Sequence, residues 1–369
     1  MNKLKKVVSS QGFVNLLSSV FSILAGLLFG FLLLLVLNAP AALKGMNALL
    51  TEGLSGLNPF AKVLYQAAPL MMCGLSVGFA FKTGLFNIGA SGQYTLGAFF
   101  AILFATQFQM PWYVCLLAAM VGGAFWGLFP GLFKALFNVN EVITSIMFNW
   151  IGMFLVNLLF ANIPLTLASA WGATNSERTA DLTKANPSAM IPKMGLDELF
   201  GSVYMNISIF IAIALAILMY VVLNKTTFGY ELKACGLNRN ASEYAGINAK
   251  RNIVLSTIIA GGLSGIGGGL YYLAGTGQYV LEKEILTRGF DGIPVALLAN
   301  SNPIGTIFSS LFVSYLSVGG NAMQPAFSTE TVNLIIAVII YLAAFSLLVR
   351  TLLGKVLAER KHKKGESDK

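Results

Sequence analysis

The sequence has little charge, one histidine and three cysteines. Of its 369 residues only 11% are charged, against roughly 25% in an ordinary soluble domain. This is too little charge to cover the surface of a soluble chain of this length. Cys73, Cys115 and Cys235 give no disulfide framework, and His362 lies in a lysine-rich tail. We therefore expect no catalytic residue, no metal site and no cofactor.

The motifs of several enzyme classes are missing or lack their context. There is no Walker A motif, so we expect no ATP site in this chain. The glycine-rich stretch 261–269 lies inside an apolar run instead of following a strand, so small-residue helix packing explains it better than phosphate binding. Residues 89–92 (GASG) match the G-x-S-G of intramembrane serine proteases, but the sequence offers no nearby histidine as the base.

What the chain does have is apolar sequence, 56% of all residues. A bilayer is crossed by roughly 20 helical residues. On that measure the sequence predicts an all-α polytopic membrane protein with about ten spans: 13–37, 62–81, 85–106, 112–137, 141–163, 204–224, 253–274, 285–300, 303–319 and 331–350. The first run is too long for a typical signal peptide, so we expect an uncleaved helix.

The basic residues set the expected topology. With the N-terminus inside and ten alternating spans, 17 of the 24 Lys and Arg residues fall on the cytoplasmic side, as the positive-inside rule requires. Both termini are then cytoplasmic. Residues 1–350 form one transmembrane domain, with an outer loop at 164–203 and a cytoplasmic loop at 225–252, and residues 351–369 form a basic tail. This distribution explains the net charge of +9 without nucleic-acid binding.

Polar residues inside the spans recur at helical spacing. Asn87, Ser91 and Thr95 form one stripe, and Asn149 lies on a second stripe in the fifth span. Two interpretations stay open, namely hydrogen bonding between helices and an uncharged polar pathway. Charges at membrane depth are few, and two of them, Arg288 and Asp291, are spaced to form a pair. This scarcity argues against a secondary carrier, which stays open as an alternative.

Two further patterns concern organisation. Residues 82–89 (KTGLFNIG) are echoed by residues 287–294 (TRGFDGIP), which suggests that spans two to five and seven to ten are inverted repeats. In the cytoplasmic loop, Asn240 or Ser242 is placed to cap a short helix that Gly246 ends. A short capped helix between two spans is typical of a docking element.

Four stretches together resemble the membrane permeases of bacterial ATP-binding-cassette importers for nucleosides and simple sugars. Residues 86–93 (FNIGASGQ) resemble the F-N-I-G-x-E/S-G-Q signature of that family, and residues 140–149, 228–247 and 289–305 are similar to its other motifs, in the same order. The long outer loop and the FNIG form look closest to the nucleoside branch. Ser91 differs from many relatives, which carry Glu at this position of the signature.

This resemblance implies a transport subunit in the bacterial cell membrane without catalytic activity of its own. It implies three partners: a cytoplasmic ATPase subunit, a second and non-identical permease, and an extracytoplasmic substrate-binding lipoprotein. A ribose or simple-sugar permease is the alternative within the family. The residues expected along the substrate pathway are Phe86, Asn87, Ser91, Thr95, Asn149, Trp150, Phe290 and Asp291. The residues expected to dock on the ATPase are Glu243, Tyr244, Ala245, Gly246 and Ile247.

Overall fold

A computed structural model of the chain describes residues 11–174, 177–281 and 284–344. The basic tail at 351–369 and the first ten residues lie outside the described residues. The main helices are α1 (Gln11–Thr51), α2 (Leu57–Lys82), α3 (Ala90–Thr106), α4 (Trp112–Phe137), α5 (Glu141–Asn162), α6 (Ser208–Lys225), α7 (Thr227–Leu237), α8 (Arg239–Tyr244), α9 (Ala249–Tyr272), α10 (Arg288–Leu298), α11 (Pro303–Asn321) and α12 (Thr329–Ala344).

The expectation of an all-α polytopic membrane protein is confirmed. Within the described ranges, seven helices are long and apolar enough to cross a membrane by length and composition. Two of the ten expected spans give shorter helices, namely α3 with 17 residues and α10 with 11. The tenth, α12, is described for 16 residues, up to the end of the described range at Ala344. The first helix is instead longer than expected. It continues from the run 13–37 to Thr51, across a break in helical geometry at Asn38, two residues before Pro40.

The chain divides into two compact units. The smaller one contains the described residues 11–53 and 316–344. In it α12 lies against α1 at two glycines: a Cβ at Gly26 would lie 2.8 Å from the Cα of Ile339, and one at Gly30 would lie 2.7 Å from the Ile335 side chain. Small residues let two apolar helices approach closely where no hydrophobic effect drives them together.

The larger unit, Leu54–Tyr315, is built around α9. Its glycines meet glycines of α3 and α4 backbone to backbone. A Cβ at Gly265 would collide with α4 at Ala119 and Gly123, and one at Gly97 of α3 would collide with Gly265. The glycine-rich stretch is therefore a packing surface between helices, as the sequence predicted.

The third expected span, 85–106, is helical only from Ala90. Residues 83–89 form a turn and an irregular segment in front of α3, with Gly84 at φ +76°. Asn87 therefore does not share a helical face with Ser91 and Thr95, and the expected three-residue stripe is wrong at its first member. The FNIG run is apolar enough to be taken for a helix, but its backbone bends back from α2 into α3.

The eighth expected span, 285–300, is also wrong as a membrane-crossing helix, since α10 has 11 residues and is roughly 17 Å long. It packs along α2. A Cβ at Gly292 would lie 2.6 Å from the carbonyl carbon of Cys73, and one at Gly74 would lie 2.5 Å from the Val295 side chain. Cys73 is nine residues, or roughly 14 Å, from the end of α2 at Lys82. α10 therefore begins near the middle of the depth that α2 spans.

The described residues of both long loops contain short helices. The outer loop contains two short helices, Leu182–Ala185 and Leu196–Phe200, and is tied by the isolated bridges Leu167–Thr179 and Arg178–Val280. The cytoplasmic loop holds α7 and α8. Asn238 caps α8, accepting a hydrogen bond of 3.0 Å from the amide of Ala241. The expected cap at Asn240 or Ser242 was thus wrong, while Gly246 follows α8 at φ +84° as expected of a helix stop.

Candidate functional site

The irregular segment before α3 holds a buried hydrogen-bond network. The Asn87 side-chain nitrogen donates to Ser76 Oγ at 3.0 Å and to Gln93 Oε1 at 2.9 Å, and Gln93 donates back to Asn87 Oδ1 at 3.2 Å. All three residues are buried. Asn87 thus links the side chains of Ser76 on α2 and Gln93 on α3 across the irregular segment. It holds the bend between α2 and α3.

Asn149 of α5 fastens the same segment from the other side. Its Nδ2 donates to the carbonyl of Ile88 at 3.1 Å, and its Oδ1 accepts from the amide of Gly92 at 2.8 Å. The first amides of a helix lack partners within the helix, and Asn149 supplies one for α3. At 1% exposure this side chain lies in the protein interior.

Ser91 and Thr95 are also buried and engaged within the chain. Ser91 Oγ donates to the carbonyl of Leu286 at 2.5 Å, and Thr95 Oγ1 donates to the carbonyl of Ser91 at 2.9 Å. The backbone of Ser91 lies directly against Gly289, where any Cβ would collide. The first turns of α3 and α10 therefore meet, which brings together the two sequence motifs that echo each other.

The three expected pathway aromatics have different surroundings. Phe86 is half-buried with its ring 4.9 Å from that of Phe81. Trp150 is 43% exposed on the outer face of α5 and stacks on Phe154 at 6.1 Å. Phe290 is half-buried in the first turn of α10. Among the described ring contacts, Trp150 is paired with neither Phe86 nor Phe290.

Arg288 and Asp291, expected as a pair, do not form an ion pair with each other. The ion pairs of the described residues do not include one between them. The Arg288 guanidinium instead lies over the Tyr271 ring, 4.0 Å from its centroid, and donates to the Tyr271 hydroxyl at 3.1 Å. Asp291 is exposed in this chain. An exposed carboxylate at membrane depth has to face water or another protein, since contact with lipid is costly.

Sequence reasoning missed a group of tyrosines at one end of the larger unit. The ring of Tyr65 lies 5.5 Å from that of Tyr204 and 5.7 Å from that of Tyr271, which carries Arg288. We call Tyr65, Tyr204, Tyr271 and Arg288 the tyrosine cluster. Its members come from α2, the end of the outer loop, α9 and α10. The available signal was a tyrosine at the same end of several spans.

The expected docking residues lie on a projecting part of the cytoplasmic loop. Tyr244 is 93% exposed at the end of α8, and Leu237 is 89% exposed at the end of α7. Glu243 pairs with Arg239 at 3.2 Å, one turn away. Ala245 and Gly246 are exposed, and a Cβ at Gly246 would meet nothing within 4 Å. Ile247 is half-buried. Apolar side chains so exposed at a loop tip indicate a contact surface.

We expect Asn149→Leu to lower the free energy of unfolding by roughly 2–3 kcal/mol, because the Gly92 amide and the Ile88 carbonyl lose their partner inside the protein. The melting temperature of the purified protein should fall by roughly 3–4 °C. Asn162→Leu is the matched control on the same helix, since Asn162 is exposed and bonds only its own helix at Leu158. Equal melting temperatures for the two variants would contradict this role of Asn149.

Comparison with known proteins matches these features to a transporter family. The profile of the branched-chain amino acid transport system / permease component family matches residues 60–344. No solved structure matches the chain at a significant level. The matched range contains the motifs at residues 86–93 and 289–305, the tyrosine cluster and α8.

Three relatives are similar over most of their length. The guanosine ABC transporter permease protein NupP of Bacillus subtilis is 34% identical over 93% of this chain and 97% of its own. The nucleoside ABC transporter permease protein NupB of Lactococcus lactis is 34% identical over 99% of both chains. The glucose ABC transporter permease protein TsgB13 of Haloferax volcanii is 31% identical over 84% and 81%. The chain therefore belongs to this family of ABC transporter permeases, and it is a multi-pass protein of the plasma membrane.

Proposed function

We propose that this chain is a pore-forming subunit of an ATP-driven nucleoside importer. The observation that carries the proposal is the nearly end-to-end similarity to NupP and NupB, whose names specify guanosine and nucleosides. The other subunits are a second, non-identical permease, a cytoplasmic ATPase that hydrolyses ATP, and an extracytoplasmic lipoprotein that binds the substrate.

The surface that carries Asp291 faces the pore and the second permease. α10 begins at mid-depth along α2, and short or broken helices at that depth commonly form transport sites. The Asp291 carboxylate accepts hydrogen bonds from the hydroxyl and N–H groups of an uncharged nucleoside. Phe290, in the same turn, offers an apolar surface to the base.

The buried polar residues support this route without touching the substrate in the described conformation. Asn87, Ser91, Thr95 and Asn149 all bond within the chain. Their role is to hold the bend before α3 and the contact between α3 and α10. Phe86 belongs to the same bend, and Trp150 lies on the outer face of α5, where it contacts lipid or the second permease.

Coupling to ATP hydrolysis runs through α8. Its exposed end carries Tyr244, Ala245 and Gly246, which dock in a cleft of the ATPase subunit, with Glu243 and Ile247 completing the surface. The neighbouring α7 contacts the segment between α2 and α3. The backbone of Gly236 lies against Gly84, where a Cβ would be 2.6 Å from the Gly236 Cα. Gly84 starts the segment that Asn87 stabilises.

A sugar is the second candidate substrate, favoured by the similarity to the glucose permease protein TsgB13. Uptake of labelled guanosine, uridine and ribose in cells with and without this gene decides between the two. We expect both nucleosides to be lost on deletion while ribose uptake is unchanged. Loss of ribose uptake alone would contradict the nucleoside assignment.

A further inference from the structure

The tyrosine cluster lies beside a cavity in the outer part of the larger unit. The cavity has a volume of about 360 Å³ and is lined by Arg178, Asp181 and the segment 275–278, among others. The Gly277 backbone packs on the Tyr271 ring, since a Cβ there would lie 3.0 Å from it. The wall of the cavity and the tyrosine cluster are therefore contiguous.

The rings of the cluster are half-buried and directed at one another. Tyrosines at a membrane interface commonly anchor a helix in the headgroup region. Anchoring requires rings that face lipid. It does not explain why Arg288, in the first turn of α10, lies over the ring of Tyr271. A planar guanidinium on an aromatic face and two further rings are instead the groups that stack on nucleic-acid bases.

Two cations lie over tyrosine rings of the cluster. The Arg288 guanidinium lies 4.0 Å from the Tyr271 ring centroid, and Lys62 Nζ lies 5.5 Å from that of Tyr204. The aromatic faces offset part of the cost of placing these charges there. Their remaining N–H groups provide donors for the ring nitrogens and carbonyl oxygens of a base, which the apolar walls of a pore do not.

We propose that the tyrosine cluster is a base-binding site at the outer mouth of the transport route. The nucleobase stacks on its rings after it leaves the lipoprotein and before it reaches α10. The proposal rests on the proposed function and adds the residues that recognise the base. It also assigns a direction: the base contacts Tyr204 and Tyr271 first, and the nucleoside then passes Arg288 on its way to Asp291.

The test uses cells in which variants replace the chromosomal gene, and it measures the initial uptake of guanosine and uridine well below the saturating concentration, normalised to the membrane abundance of the permease. We expect Tyr204→Leu and Tyr271→Leu each to reduce guanosine uptake about tenfold. Uridine uptake should fall less, because a pyrimidine has less surface to stack. Tyr204→Phe, which keeps the ring, should retain nearly full uptake.

Tyr220→Leu is the matched control, since Tyr220 is a half-buried tyrosine of α6 outside the cluster. It should leave the uptake of both nucleosides unchanged. Wild-type guanosine uptake and an unchanged guanosine-to-uridine ratio in both leucine variants would overturn the proposal, as would an equal loss in Tyr204→Phe. If the unmodified chain takes up neither nucleoside, it is the proposed function that fails, and this inference with it.

Discussion

Tyr244→Ala should lower nucleoside uptake at least tenfold without removing the permease from the membrane. Tyr244 is 93% exposed at the end of α8, so its side chain has little to contribute to the fold of this chain. Tyrosines buried in the centre of a protein interface are common hot spots, and truncation there costs roughly 2 kcal/mol or more. That loss corresponds to a factor of more than ten in the affinity for the ATPase.

Two measurements check this expectation: uptake, and the amount of ATPase subunit that copurifies with the permease. Tyr113→Ala is the matched control, since Tyr113 is 55% exposed at the start of α4, which the expected topology places outside the cell. Normal uptake and normal copurification with Tyr244→Ala would remove α8 from the ATPase interface. Gly246→Trp is a less clean test, because the φ of +84° at Gly246 strains any larger residue whatever it contacts.

Asp291→Leu should reduce nucleoside uptake more than tenfold. Asp291 is an exposed residue on a short helix that begins near the middle of the depth that α2 spans, so a leucine there replaces a hydrogen-bond acceptor of the proposed transport route with an apolar side chain. A site built to bond a polar substrate group loses most when its partner is removed. Asp291→Asn keeps an acceptor of the same size and should retain a substantial part of the uptake.

The pair of variants separates a polar role from a steric one. The measurement is the initial rate of guanosine uptake, with the abundance of each variant in the membrane determined alongside. If Asp291→Leu and the unmodified protein transport equally well, Asp291 lies outside the route. An Asp291→Asn variant as defective as the leucine variant would show that the negative charge, and not an acceptor alone, is required.

The helical membrane architecture follows from the sequence because composition and run length alone decide it. The start of α5 depends on local chemistry, because Asn140 caps the helix and accepts a 2.9 Å hydrogen bond from the amide of Val142. The bend before α3 could not be predicted, since residues 85–88 are as apolar as a helix. What stabilises it is Asn149, which lies 61 residues away from Ile88.

The candidate site likewise has parts that the sequence predicts and parts that it does not. The pattern at 86–93 and 289–293 locates the two motifs, and the structure places Gly289 against Ser91. The sequence places a tyrosine at the same end of several spans, but it does not show that Tyr65 and Tyr271, 206 residues apart, share a cluster. Long-range proximity depends on how α2, α9 and α10 pack, and the small residues that decide the packing resemble one another in every helix.

In the proposed function, nucleosides cross the membrane through this chain at the expense of ATP. The most direct test is guanosine uptake into proteoliposomes that contain the permease pair and the ATPase, with the binding lipoprotein on the opposite side from ATP. An ATP-driven importer gives uptake that requires both the lipoprotein and ATP and that persists when proton and sodium gradients are collapsed. Uptake that continues without ATP and stops with the gradients would identify a secondary carrier and contradict the proposed function.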